Sequence, residues 1–201
     1  MVITPGQDGR RGDLPLAAAC GMFVLVGDCC RNLPVSRVKN LYLLRHAKSS
    51  WAEPALADHD RPLNRRGTRD APRMGAALRE LMPPLPATVS TALRARLTLA
   101  GLCEGWPELA PLAHREDAEL YTFSEDELWD WLRGQDDAVS QLFLIGHNPA
   151  LTGLLARLAP DRAPDNLPTA GYAALALDLA HWRHLAPGCG RVERLLFPRQ
   201  L

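Results

Sequence analysis

The stretch Asn40-Leu41-Tyr42-Leu43-Leu44-Arg45-His46 decides the fold. Residues 40–44 form a short apolar run of strand length with charge on either side. Gln141-Leu142-Phe143-Leu144-Ile145 repeats the pattern, followed by Gly146-His147. Further strand candidates lie at 87–90, 172–179 and 191–197. Between them the apolar period lengthens to that of helices. Residues 65–82 place Met74, Leu78 and Leu81 on one face, and Pro72 predicts either a kink or a start near Asp70. Residues 92–104 place Leu93, Leu97 and Ala100 in register. Ser124 and Glu127 predict a capping box opening a helix that ends at Arg133. Pro149 suits the first turn of a helix carrying Leu151, Leu154, Leu155 and Leu158. This alternation predicts a layered α/β domain with helices on both faces of one sheet.

The chain has 201 residues, enough for one sizeable core. Basic and acidic residues number 23 each, so neither nucleic acid nor an acidic membrane is favoured as a partner. A local basic pocket for a small anion is compatible with that balance. The five cysteines are odd in number and contain no Cys-x-x-Cys pair, which argues against a zinc site or a secreted disulfide framework and for a reducing compartment. The apolar stretch 14–26 is interrupted and too short to span a membrane. Residues 1–37 are expected to be an extension, disordered or upstream of the true start, with Val38 a candidate initiator. Residues 38–201 are expected to form the domain.

Two histidines follow apolar strands directly, where open α/β sheets place their ligands. His46 sits beside Arg45, and a strand end holds both on a rigid element. A neutral imidazole is a good nucleophile toward phosphorus, and an adjacent arginine attracts the anion. One Arg-His pair is weak on its own; the second arrangement, at His147, strengthens it. His147 or Asn148 is expected to cap the next helix and turn free N–H groups toward an anion. Arg94 follows the 87–90 strand early in a helix, while Arg96 should face elsewhere. Two imidazoles and two guanidinium groups suit phosphoryl transfer, where positioning and charge stabilisation dominate.

Other phosphate chemistries lack their residues. No cysteine has arginine six positions on, and no Gly-x4-Gly-Lys-Ser/Thr loop occurs. Asp58-His59-Asp60 does not follow an apolar strand, as an aspartyl nucleophile would. His59, His114, His181 and His184 show no metal-ligand spacing.

Six blocks occur in one order: LYLLRHAKSSW, DHDRPLNRRG, STALRARLT, ELYTFSEDEL, FLIGHNP and LPTAGYAAL. Together they resemble the SixA-like branch of the histidine phosphatase superfamily, which also contains the phosphoglycerate mutases. The resemblance implies a three-layer α/β/α sandwich of the phosphoglycerate mutase-like kind. It implies His46 as nucleophile, with Arg45, Arg94 and His147 around the phosphate and with neither metal nor organic cofactor. The implied activity is a cytoplasmic phosphatase that removes phosphate from phosphohistidine on a signalling or phosphotransfer protein. A small phosphorylated substrate, a mutase, or a non-catalytic phosphohistidine-binding module are the alternatives. Many superfamily members carry a carboxylate acid about two dozen residues after the second arginine, and Glu119 is the nearest match here. Asn64 and Lys48 are further candidates to line the pocket, although Asn64 also suits a helix cap. Trp51 reads as packing or a lid.

Overall fold

The structure, a computed structural model, describes residues 38–201. The expectations for residues 1–37 therefore lie outside the described residues. Six strands form one mixed sheet: β1 (Val38–Arg45), β2 (Ala87–Ser90), β3 (Arg115–Asp117), β4 (Gln141–Gly146), β5 (Tyr172–Asp178) and β6 (Gly190–Leu196). Their spatial order is β3-β2-β4-β1-β5-β6. The first four run parallel, and β5 and β6 are antiparallel to their neighbours.

Side-chain alternation along β1 divides the core. Leu41 and Leu43 pack with α3 (Glu125–Arg133) and α4 (Ala150–Leu158) on one face. Leu44 packs with α1 (Arg65–Arg79) and α2 (Leu93–Gly105) on the other. The result is the expected three-layer α/β/α sandwich, and it puts the C-terminal ends of β1, β2 and β4 side by side. No helix among the described residues is long and apolar enough to cross a membrane.

Of the two readings of Pro72, the start near Asp70 fails: helix α1 begins at Arg65 and runs through Pro72. Its first turn is held by Asn64, whose side chain accepts from the Gly67 N–H at 3.0 Å. The carbonyl left without an i+4 donor by Pro72 belongs to exposed Thr68, where water can serve it. At α3, Ser124 Oγ accepts from the Glu127 N–H, but the Glu127 carboxylate takes the Thr122 hydroxyl, so only half the expected capping box forms. Residues 118–120 form a 3-10 turn after β3.

Candidate active site

β1 ends at Arg45, and the next residue, His46, is fixed on several sides. Its backbone N–H donates to Gly146 O, continuing the β1–β4 ladder for one more residue. The N–H of Ala47 donates to Thr98 Oγ1 on α2 at 2.9 Å. The His46 ring places Nδ1 2.7 Å from Ala47 O. A carbonyl can only accept, so Nδ1 carries the proton and Nε2 keeps its lone pair. Nε2 lies 3.3 Å from Arg94 Nε, which donates to it.

The second imidazole is the reverse tautomer. His147 Nδ1 accepts from the Arg94 guanidinium at 3.3 Å, so its Nε2–H donates to Ser90 Oγ at 2.8 Å. The ring centroids of His46 and His147 are 4.9 Å apart. Arg94 is almost wholly buried between them. Burial lowers the His46 pKa to about 3; the Ala47 hydrogen bond opposes this, and the charges of Arg94 and Arg45 add to it. Burial and the neighbouring His46 and Arg94 lower His147 strongly as well. Both rings are thus held neutral in a cationic surrounding.

A cavity of about 170 Å³ opens above His46. Arg45, Arg94 and Lys48 line it as well. Arg45 donates to Leu167 O at 2.8 Å, while its buried Nε has no acceptor within the protein. Asn148 also lines the cavity and donates its amide to Thr152 Oγ1 and Leu167 O. The structure therefore gathers Arg45, His46, Arg94 and His147 into one place, with Lys48 at the wall.

Asn64 and Glu119 do not line this cavity. Asn64 is occupied as the α1 cap. Glu119 lies in the 3-10 turn after β3 and faces a different cleft, bordered by Arg115, Asp117 and Trp131. The residue that this turn delivers to the site is Tyr121, whose ring stands edge-on to His147. The expected cap on α4 also differs: the cap residue is Pro149, both ring nitrogens of His147 are taken by Arg94 and Ser90, and Asn148 turns its NH2 to Thr152 and Leu167 while its buried Oδ1 meets no protein donor.

Sequence reasoning missed two residues here, Asp58 and Arg61. The segments 48–50 and 62–64 pair through Asn64 N–H to Lys48 O and Ser50 N–H to Pro62 O, which closes residues 51–61 into a loop over the cavity. From that loop the Asp58 carboxylate accepts from Arg94 at 2.8 Å, from Tyr121 at 2.7 Å and from Arg61. Partial burial raises the Asp58 pKa, but the Tyr121 hydrogen bond and the Arg94 charge outweigh it and hold the carboxyl below its usual range. Arg61 stacks over Trp51 at 3.5 Å, and its buried Nε and Nη1 have no protein acceptor. The only signal for either residue was membership in the DHDRPLNRRG block. Among the described residues no group of three His, Cys, Asp or Glu is placed to hold a metal ion.

Comparison with known proteins agrees with this geometry. A family model described as histidine phosphatase superfamily (branch 1) matches residues 41–121. An uncharacterized protein of Mycobacterium tuberculosis, Rv1276c, is 35% identical over 166 residues, covering 78% of this chain and all of that protein. The solved SixA structure from Nakamurella multipartitia is 28% identical with a TM-score of 0.62, covering 80% of this chain and 96% of that one. SixA from Agrobacterium tumefaciens is 26% identical with a TM-score of 0.65, covering 80% and 98%. A phosphoglycerate mutase from Bacillus anthracis shares the fold at 16% identity and a TM-score of 0.56, covering 79% of this chain and 93% of that one. On its family match and its likeness to the SixA structures, the chain belongs to the histidine phosphatase superfamily.

Proposed function

We propose that this chain is a phosphohistidine phosphatase needing no metal, with His46 as nucleophile. The observation that carries the reading is the His46 tautomer. Ala47 O accepts from Nδ1–H, so Nε2 is unprotonated; at the arginine-lined cavity its lone pair accepts from Arg94 Nε, and it becomes the nucleophile when the guanidinium turns to the phosphate oxygens. In the first step Nε2 attacks phosphorus and a P–N bond forms; the substrate's imidazole ring, protonated from solvent at its other nitrogen, leaves as neutral imidazole as its own P–N bond breaks. In the second step water attacks the phosphoryl group on His46, releasing phosphate and restoring the neutral ring. Arg45 and Arg94 balance the negative charge on the equatorial oxygens. Arg61 supports this with two buried donors that lack acceptors. His147 supports Arg94 from the other side, its Nδ1 accepting from the guanidinium while its Nε2–H donates to Ser90.

The choice of phosphohistidine rests on the acid. Asp58 is the carboxylate lining the cavity, and it is ionised and held by Arg94, Arg61 and Tyr121. Such a group is a poor proton donor. An imidazole leaving group, with a pKa of about 6.5, needs less help than an alkoxide. The test is a side-by-side comparison of kcat/KM on a phosphohistidine peptide and on a panel of sugar phosphates. A clear preference for the peptide is expected. Faster turnover of a sugar phosphate would replace this reading with that of a small-ester phosphatase or mutase.

A further inference from the structure

A second cleft, of about 530 Å³, lies beside the catalytic cavity, and Thr169 lines both. Its walls carry four arginines from two elements. Arg66, Arg69 and Arg73 come from successive turns of α1, and Arg199 follows β6. Phe197 contributes apolar floor, with the Arg199 guanidinium 5.6 Å from its ring centroid. The one acidic side chain present, Asp70, is buried and lies 2.8 Å from Arg69 and 3.9 Å from Arg66, and Arg73 donates to Leu201 O. Arg66 donates to Thr169 at 3.1 Å, which ties this wall to the rim of the catalytic cavity. In a chain of zero formal net charge, the side chains here give a local excess of three positive charges at the mouth of the site.

From this juxtaposition we infer that the cleft binds an acidic segment of the phosphorylated protein substrate, next to the residue whose phosphate enters the catalytic cavity. The inference rests on the phosphohistidine reading and names the kind of protein that carries the group. The arginines are more than half exposed at Arg66 and Arg69, and the cleft is open. Exposed forks over an apolar floor suit a protein chain, whose carboxylates they can hold in pairs. The favourable field also speeds encounter and weakens with salt, because charges beyond about 8 Å are screened at physiological ionic strength.

The test uses the full chain and a fluorescein-labelled, glutamate-rich peptide without phosphate, with its glutamine counterpart as control. Fluorescence anisotropy should show the glutamate peptide binding at least roughly tenfold tighter, with the difference shrinking as salt rises. R73Q/R199Q should weaken the glutamate peptide by a similar factor and leave hydrolysis of an aryl phosphate at the wild-type rate. If that variant folds poorly, R69Q/R199Q removes the same charge while sparing the Arg73 contact to Leu201 O. Equal binding of the two peptides, or undiminished binding by a folded variant, would overturn the inference. A loss of aryl phosphate hydrolysis in the folded variant would also overturn it, by assigning these arginines to the catalytic pocket. If the glutamate peptide binds as expected while phosphohistidine peptides are not hydrolysed, the cleft stands and the substrate chemistry of the neighbouring site is what fails.

Discussion

Asp58 holds Arg94 with two groups at once. Its backbone carbonyl accepts from one terminal nitrogen of the guanidinium, and its carboxylate accepts from the other at 2.8 Å. Arg94 therefore reaches His46, His147 and the 51–61 loop with a single rigid fork. Arg94 thus ties the loop to both imidazoles.

Replacing Asp58 by Ala removes the carboxylate and frees both Arg94 and Arg61. The expected outcome is a fall in kcat/KM on an aryl phosphate of on the order of tenfold, with weaker inhibition by vanadate, because two phosphate donors lose their orientation. Asp58→Asn keeps one acceptor and should fall between. Unchanged kinetics in both variants would mean that the histidines and the pocket wall alone place Arg94.

His46→Ala should reduce hydrolysis below about one thousandth of wild type, since His46 is the proposed bearer of the covalent intermediate. Enzyme exposed to labelled substrate should carry acid-labile phosphate in the wild type and none in this variant. Arg94→Lys should lose on the order of a hundredfold or more, because an ammonium cannot span both imidazoles and the loop. Retained turnover in folded His46→Ala would assign the nucleophile elsewhere.

How much of this could be read beforehand follows from periodicity. Strands β1 and β4 are covered on both faces, so their apolar runs were plain, and the histidines after them came with them. Strand β3 is three polar residues, Arg115–Asp117, at the sheet edge, and no apolar pattern marks it. A start near Asp70 failed because the Asn64 cap and packing between α1 and α2 outweighed the local rule at Pro72. Asp58 and Arg61 lie in a loop with no period at all, and their role depends on where the chain folds back. Glu119 was placed by counting along the chain, whereas the turn after β3 brings Tyr121 to the site instead.

Acid should weaken the fold through the two imidazoles. The folded-state pKa of His46, about 3, lies below the unfolded value of about 6.5, and His147 is lowered too. Between these values the unfolded chain binds more protons, so stability is full above about pH 6.5 and falls as pH drops toward the folded-state pKa. The thermal unfolding midpoint should decline from about pH 7 to about pH 4.5, and His46→Gln should flatten part of that decline. A wild-type midpoint constant across this range would contradict neutral burial of the pair.

Two glycines separate the demands of folding from those of the site. A Cβ at Gly105 would meet Pro72 O at 1.9 Å, where α2 crosses α1. A Cβ at Gly67 would meet Lys48 O at 2.3 Å, where the first turn of α1 presses on the segment just after His46. In both cases the obstacle is backbone, which cannot rotate aside, so each alanine substitution forces a shift costing about 1–3 kcal/mol or more. The consequences should differ. Gly105→Ala parts the two helices far from the cavity and should lower the unfolding midpoint, while the folded fraction keeps near-normal kcat/KM. Gly67→Ala displaces Lys48, which lines the cavity and whose carbonyl receives the Asn64 N–H that closes the 51–61 loop. It should lower kcat/KM per folded molecule as well as the midpoint. Titrating active sites with vanadate corrects both rates for unfolded protein. Equal losses per folded molecule would show that the loop over the cavity is positioned independently of the start of α1.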